Sequence, residues 1–446
     1  MLVTSFTALR SYKTKSPLSG HIRVPGDKSI SHRALMFGGL ARGETIISGL
    51  LMGEDVLSTA TAMRSMGAHI LFSDDGLVRV KGVGLGNLIE PTEILDMGNS
   101  GTSTRLLMGI VAGQSISATF TGDHSLIKRP MARVITPLEQ MGASFLGRSG
   151  GKLPLTMRGQ SSLTPMIYEV PVASAQVKSA ILLAGLTANG TTTVIEPEAT
   201  RNYTETMLKY FGANIKSSGK EIQITGGHEL IGCAVDVPSD PSSAAFPIVA
   251  ACIVNGSQIS IPRVGINKTR GGLFTALKMM GADIRFEHQT AEMGEDIATI
   301  SVYPFDGLNG VHVPIELVPS MIDEFPILAI AAACANGTTT MTGLAELRVK
   351  ESDRLQMMAD GLSACGVKLE SGHDWLTIHG TGKPPKGGAK ISTAFDHRIA
   401  MSFLVLGSVT DEPIEIDDGS PIKTSFPNFL EVMEELGMDI RVGTDE

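Results

Sequence analysis

Aromatic residues are scarce: Phe, Tyr and Trp make up 5% of the chain, and tryptophan occurs once. The core must therefore be aliphatic, drawn from a 42% share of hydrophobic residues. Cysteine is rare too. Cys233, Cys252, Cys334 and Cys365 show no CxxC or Cys/His metal spacing, and three lie in apolar surroundings. They predict buried thiols in a reducing compartment, not a disulfide framework or a metal site. Basic residues are outnumbered, 37 Lys and Arg against 46 Asp and Glu, for a net charge of -9. That argues against a general nucleic-acid binder, although a local basic cleft fits inside an acidic average. Long apolar runs are missing as well: the longest, 325–334, falls short of a membrane span and is followed by Asn336-Gly337. Arg10, Lys13 and Lys15 have no apolar stretch before them of the kind a signal peptide carries. The expectation is a cytoplasmic protein that engages no membrane and no nucleic acid.

Glycine and methionine are plentiful, at 50 and 22 residues, and the glycines keep time. Met63-Arg64-Ser65-Met66-Gly67-Ala68-His69-Ile70 returns as Leu138-Glu139-Gln140-Met141-Gly142-Ala143-Ser144-Phe145. Further copies surround Gly212, Gly281, Gly366 and Gly437, so the six glycines stand 75, 70, 69, 85 and 71 residues apart. Each copy reads as a helix C-terminus: apolar residues at helical spacing, a glycine free to take the left-handed cap, then a strand.

Two more elements recur with the same period. A short β-branched strand precedes each capped helix, at 43–49, 114–120, 190–195, 256–261, 337–341 and 411–416. A polar link such as Glu54-Asp55, Arg201-Asn202 or Glu351-Ser352-Asp353 is expected to supply that helix's N-cap. A second helix in each unit is apolar on nearly every face, as over 103–112, 175–188, 243–253, 324–335 and 397–406. One unit of about 70 residues cannot bury both helices and its strands, whereas three packed together can. Six units in 446 residues predict an α/β protein of two pseudo-threefold domains. The boundary is expected at the turn-rich 235–241, with the strand before Val24 completing the last unit. Domain one is then 1–23 plus 241–446, and domain two is 24–240. The double crossing near 22–24 and 238–241 predicts a hinge, with the substrate site between the lobes.

Polar clusters at the starts of the apolar helices are not explained by the repeat. The first, Pro25-Gly26-Asp27-Lys28-Ser29-Ile30-Ser31-His32-Arg33, reads either as a capped helix or as an anion site made of free amides with Lys28 and Arg33. Others are 98–105 around Gly101, 123–130 with Arg129, 174–178 with Ser174 and Gln176, 319–324 with Asp323, and 348–354. Asp396-His397-Arg398 and Lys423 complete the set. Helix starts favour acids, so recurrent cations there point to a bound polyanion. Asp323 and Glu351 read as helix caps or as proton-transfer groups among Lys350, Arg354 and Arg398. His32 and His397 read as loop supports, and no Ser/His/Asp triad is visible.

The stretches 25–33, Arg348-Val349-Lys350-Glu351-Ser352-Asp353-Arg354-Leu355 and Asp396-His397-Arg398-Ile399-Ala400-Met401 closely resemble the signatures of the 5-enolpyruvylshikimate-3-phosphate synthase family, over essentially the whole chain. The resemblance implies two inverse α/β-barrel-like domains, each of three βαβαββ units. It implies transfer of the enolpyruvyl group of phosphoenolpyruvate to the 5-hydroxyl of shikimate 3-phosphate, releasing phosphate, without cofactor or metal; a monomer is expected. By position it assigns Ser29, Arg33, Ser174, Ala175 and Gln176 to shikimate 3-phosphate, with Arg201 near them and Asp323 and Lys350 at the 5-hydroxyl. Lys28 would reach both substrates. Gly101, Arg129, Gln176, Arg354, Arg398 and Lys423 fall to phosphoenolpyruvate.

For the chemistry, Asp323 is expected to take the hydroxyl proton and Glu351 to protonate the methylene carbon, with Lys28 as alternative or partner. The family's inhibitor-tolerant members carry alanine at the position of Gly101, so this chain is expected to be sensitive to glyphosate. Two alternatives stand. A UDP-N-acetylglucosamine enolpyruvyl transferase would typically show Lys-Asn in place of Lys28-Ser29 and a loop cysteine, yet no cysteine precedes Cys233. A scaffold for phosphorylated ligands or RNA ends would have no reason to place two acids among so many cations.

Overall fold

The computed structural model describes residues 7–443. These form two compact units: the chain up to Pro25 with Pro238–Thr290 and everything from Asp296, and Gly26–Val237 with the hairpin tip Ala291–Glu295. The crossings thus fall at Pro25/Gly26 and Val237/Pro238, not at 23/24 and 240/241, and 291–295 clusters with the second unit.

Within 26–237, three four-stranded sheets share one order. In the first, Ala234–Asp236 pairs parallel to Glu44–Ser48, which runs antiparallel to Val78–Lys81, itself antiparallel to His69–Phe72. Alternation sets the buried face: Thr45 and Ile47 point inward from the central strand, with Val78 and Val80 beside them. The sheets of Leu95–Asp96, Ser117–Thr121, Lys152–Arg158 and Ser144–Arg148, and of Ile167–Glu169, Thr191–Ile195, Glu221–Thr225 and Asn214–Ser218, repeat the pattern. Each encloses an inner helix: Lys28–Leu40, Gly101–Ala112 and Ala175–Gly185.

The other unit has the same plan with borrowed edges. Ser19–His21 supplies the parallel edge beside Gln258–Gly265. Leu9–Tyr12 lies between Ile414–Ile416 and Asp439–Val442, antiparallel to both, and its Arg10 meets Glu415 across the ladder at 2.6 Å. One N-terminal segment therefore completes two sheets. The fifth sheet keeps three strands, its parallel edge reduced to bridges at Asn309 and His312. The inner helices Pro241–Ile253, Phe325–Cys334 and His397–Gly407 all touch one another. In the last, Arg398 is the one residue that is not buried. Phenylalanines fill what gaps the aliphatic core leaves, as where Phe429 meets Phe246 and Phe426 edge to face.

All six periodic glycines, Gly67, Gly142, Gly212, Gly281, Gly366 and Gly437, have positive φ between 85° and 116°. The capping role was more uneven than the links suggested. Among the outer helices only Arg354–Ala364 has a side-chain cap, Asp353 accepting from Gln356 N at 3.0 Å. The helix at Ala132–Met141 begins well before Thr136-Pro137 and carries Pro137 inside it. Side-chain caps belong instead to five of the six inner helices, from Asp27, Ser100, Ser174, Asp240 and Asp396.

Two further expectations change. Cys252 and Cys365 are buried, but Cys233 and Cys334 are only partly so. Burial still raises all four thiols, to about 11 for Cys233 and Cys365 and about 12 for Cys252 and Cys334. The apolar run 325–334 ends a longer helical stretch, Ile315–Cys334, which includes Glu316, Asp323 and Glu324 and is long and apolar enough to cross a membrane by length and composition alone. Its apolar window is 67% buried in the fold.

Gly212 isolates the backbone term, since a Cβ there would meet nothing closer than Glu229 O at 4.0 Å while φ is 93°. Gly212→Ala should cost about 1–2 kcal/mol in chemical denaturation and Gly212→Asn less, because only the left-handed conformation is strained.

Candidate active site

The polar cluster of the 26–237 unit grows from the start of the Lys28–Leu40 helix. Gly26 passes so close to the carbonyl of Gly49 that any side chain would collide with it. Asp27, fully buried, caps the helix through Ile30 N at 2.9 Å and receives the hydroxyl of Tyr203 at 3.1 Å. The capped turn presents Lys28, ion-paired to Asp55, and the half-buried Ser29. His32 points into the core, its Nδ1 2.8 Å from Thr59 Oγ1 and 3.2 Å from Ser103 Oγ. Burial, then the charges of Lys28 and Arg33, hold it well below the usual histidine range, so it is neutral.

Arg33 is 4% exposed and lies in a slot between two helices. It donates from Nε to Thr204 Oγ1 at 2.8 Å, and through its two terminal nitrogens to Ser179 Oγ at 3.0 Å and the Ser29 carbonyl at 2.9 Å. None of these acceptors is a carboxylate. Burial lowers the guanidinium to about 10, against the pull of Glu205 and Asp27. It remains charged at neutral pH, held by neutral groups.

The second inner helix of this unit begins at Gly101 behind the cap Ser100, whose Oγ accepts from Ser103 N at 3.2 Å. A Cβ on Gly101 would lie 2.9 Å from one Arg105 nitrogen and 3.1 Å from one of Arg129. Arg129 is held by Asn99 Oδ1 at 3.2 Å and Ser125 Oγ at 3.3 Å. Arg105 donates to Gln176 Oε1 at 2.5 Å, and Gln176 Nε2 donates to Thr102 Oγ1 at 2.9 Å. The third helix is capped by Ser174 through Val177 N at 3.4 Å, leaving Ala175 and Gln176 on its half-exposed first turn. Arg201 stands in the loop before Tyr203–Tyr210, close enough to Arg33 to lower it further.

The other unit gathers a different arrangement. Arg354, 1% exposed, donates to Asp396 from Nε at 2.8 Å and from a terminal nitrogen at 3.2 Å. It also meets Glu351 at 2.5 Å and Asp323 at 3.3 Å. Burial alone would lower this guanidinium, but Asp396, Glu351 and Asp323 outweigh burial and raise it. Asp396 shows the reverse balance: burial would raise it, yet Arg354 brings it below the usual carboxylate range. Asp323 Oδ1 also takes Lys350 Nζ at 3.0 Å, and its carbonyl accepts from Arg398 at 2.8 Å. Arg398 reaches Glu324 at 3.3 Å, a carboxylate that also receives Ser242 Oγ and lies 3.8 Å from Arg270. Lys423 is exposed on the turn Ser420–Thr424.

Neither Asp323 nor Glu351 caps a helix, since Asp353 caps the one and Glu324 stands at the start of the other without a side-chain bond. In this unit Lys350, Arg354, Arg398 and Arg270 meet the carboxylates of Asp323, Glu351, Asp396, Glu324 and Asp240. From the sequence Asp55 is expected only in a capping link, Arg105, Glu324 and Asp396 only within polar clusters, and Tyr203 and Arg270 have no expected role. For Arg270 the signal is a charge in a link between apolar elements; Tyr203 has none. Among the described residues no group of three or more His, Cys, Asp or Glu is placed to hold a metal ion.

Residues 12–433 match the family model described as EPSP synthase (3-phosphoshikimate 1-carboxyvinyltransferase). A 3-phosphoshikimate 1-carboxyvinyltransferase of Paramagnetospirillum magneticum is 57% identical over 435 residues, which is 96% of this chain and 97% of that one. The EPSP synthase of Acinetobacter baumannii superposes with a TM-score of 0.88 at 46% identity, over 98% of this chain and 100% of its own. The enolpyruvyl transferase NikO of Streptomyces tendae shares the fold, with a TM-score of 0.80 at 19% identity over 99% and 100% of the two chains. The two-domain inverse α/β architecture is thereby established, and the UDP-sugar alternative retreats to a distant fold relative. The chain belongs to the EPSP synthase family.

Proposed function

We propose that the chain moves the enolpyruvyl group of phosphoenolpyruvate to the 5-hydroxyl of shikimate 3-phosphate through the residues described above, acting as a cytoplasmic monomer. On this reading Arg33, Ser29, Ser174, Ala175 and Gln176 hold shikimate 3-phosphate, with Arg201 beside them. Lys28, Gly101, Arg129, Gln176, Arg398 and Lys423 hold phosphoenolpyruvate. Arg354, enclosed by carboxylates, serves phosphoenolpyruvate mainly by fixing the acids around it.

The observation that carries the assignment of roles is Asp323. Lys350 at 3.0 Å and Arg354 at 3.3 Å present it as a carboxylate, ready to accept the 5-hydroxyl proton as that oxygen attacks C2. Lys350 can then stabilise the charge developing on the oxygen. The proton added to C3 comes from Glu351. That group faces Arg354 at 2.5 Å as an acceptor, so it must take up a proton before it can give one. Addition forms the O–C2 and C3–H bonds. In elimination the ionised Glu351 takes a proton back from C3 as the C2–O bond to phosphate breaks, leaving an enol ether and inorganic phosphate. The intermediate carries two phosphates and a carboxylate, and cations already fixed by the protein stabilise it without reorganisation.

Phosphate release from the two substrates tests the activity, with UDP-N-acetylglucosamine as the negative control. Asp323→Asn should lower kcat by about 10²–10⁴-fold, the range for a positioned acid or base. Glu351→Gln should lower proton incorporation at C3. Near-normal turnover in Glu351→Gln, together with lost incorporation in Lys28→Met, would move the acid role to Lys28.

Glyphosate should compete with phosphoenolpyruvate. Because a Cβ at Gly101 would press on Arg105 and Arg129, Gly101→Ala should raise the inhibition constant about tenfold or more, the scale of one added methyl in a closed pocket. Inhibition curves at varied phosphoenolpyruvate check this, and an absence of competition would sink it.

A further inference from the structure

The 26–237 unit contains a buried lysine that the reaction does not call upon. Lys178 is 1% exposed, one turn into the Ala175–Gly185 helix. Its ammonium meets Glu205 at 2.7 Å and Glu196 at 2.9 Å, with the Thr200 carbonyl at 3.5 Å. Both glutamates are buried. An ammonium so placed needs counter-charges, and the two carboxylates supply them.

The neighbours of this cluster are the phosphate-side residues. Ser179, next to Lys178, bonds Thr204, next to Glu205, at 2.7 Å. The helices 175–185 and 203–210 are therefore joined by two adjacent buried links, one ionic and one between hydroxyls. Arg33 donates to both hydroxyls of the second link. Glu205 is the strongest carboxylate influence on Arg33, and its second oxygen has no hydrogen-bond partner among the described residues. Thr200, bound to Glu196 and to Lys178, precedes Arg201. One ammonium thus touches the supports of Arg33, of Arg201 and of the Ser174–Gln176 turn on its own helix.

We propose that Lys178 is a positioning residue for Arg33. It clamps the two helices that form the arginine's slot, and it takes up the charge of Glu205, which would otherwise pair with the guanidinium and compete with the substrate phosphate. Without Lys178, the buried Glu205 is left to Arg33, and Arg33 turns from a phosphate donor into its counterion. The inference rests on Arg33 as a shikimate 3-phosphate ligand.

The test is a split of kinetic constants in purified full-length variants whose folding is checked by thermal melting. Lys178→Met should raise KM for shikimate 3-phosphate about tenfold or more, as expected for a charged hydrogen bond diverted from its ligand. KM for phosphoenolpyruvate should stay within about twofold, since of the residues assigned to it only Gln176 stands on the Lys178 helix. Lys178→Met with Glu205→Gln should recover much of the loss, because the competing charge is gone. Glu205→Gln alone should lower KM for shikimate 3-phosphate. It decides the matter by itself if Lys178→Met does not fold, because a merely structural ion pair predicts a rise.

A parallel change in both KM values and kcat, a double variant no better than the single one, or a rise in Glu205→Gln would each overturn the proposal. Arg33→Gln separates the two levels. If it leaves KM for shikimate 3-phosphate unchanged, the phosphate assignment fails and the inference falls with it. If it raises that KM while Lys178→Met does not, the inference alone fails.

Discussion

A helix buried along its whole length leaves only its first turn for chemistry. The six inner helices are in that position: Phe325–Cys334 is buried at nine of its ten residues, and His397–Gly407 spares only Arg398. Their side chains must be apolar, and their first amides have no partner within the helix. Five of the six answer with a side-chain cap, and the caps Asp27 and Asp396 are themselves fully buried. Polar residues gather at these turns because nowhere else along the helix tolerates them. A fold made of such helices sets many small polar platforms at equivalent places, and function is a matter of what each repeat puts there.

Two buried arginines show how differently such platforms can be used. Arg354 is enclosed by Asp396, Glu351 and Asp323. Its charge is spent on the protein, where it organises three acids, and breaking such a buried pair typically costs about 3–5 kcal/mol. Arg33 is equally hidden, but it donates to hydroxyls and a carbonyl. Neutral acceptors fix its orientation without cancelling its charge. The first arginine suits a proton-transfer cluster, and the second suits an arriving dianion. Burial alone would not tell them apart. The identity of the acceptors does.

Much of this was legible in the chain. The period of Gly67, Gly142, Gly212, Gly281, Gly366 and Gly437 marked six helix ends, and each glycine does take the left-handed conformation, because no other residue does so without strain. The apolar helices were equally plain. Caps were misread: polar links before the outer helices looked like capping residues, yet Gly53, Met131 and Gly271 stand at those positions. A surface helix can leave its amides to water, so its link carries no such demand. Charge pairing was invisible for a different reason. Asp55 with Lys28, and Glu205 with Lys178, join residues 27 positions apart, on separate elements, and only the packing decides which acid meets which base. The motif around Arg354 was recognised, but not that its charge is consumed within the protein.

The fifth repeat is where the pattern breaks. Its inner helix is entered through the turns Ile315–Leu317, Val318–Met321 and Ile322–Glu324, and Glu324 begins it without a side-chain bond to its amides. The other five repeats spend an Asp or Ser at this place on capping. Here the neighbouring acid, Asp323, is released from that duty and turns to Lys350 and Arg354, while its carbonyl holds Arg398. Glu324 in turn receives Ser242 and Arg398. A side chain cannot both cap its own helix and face a partner on another element. Forgoing the cap, typically worth about 1 kcal/mol, is the condition under which a repeated helix start can present a carboxylate outward. The exception to the repeat and the acid proposed for proton transfer meet at Glu324 and Asp323.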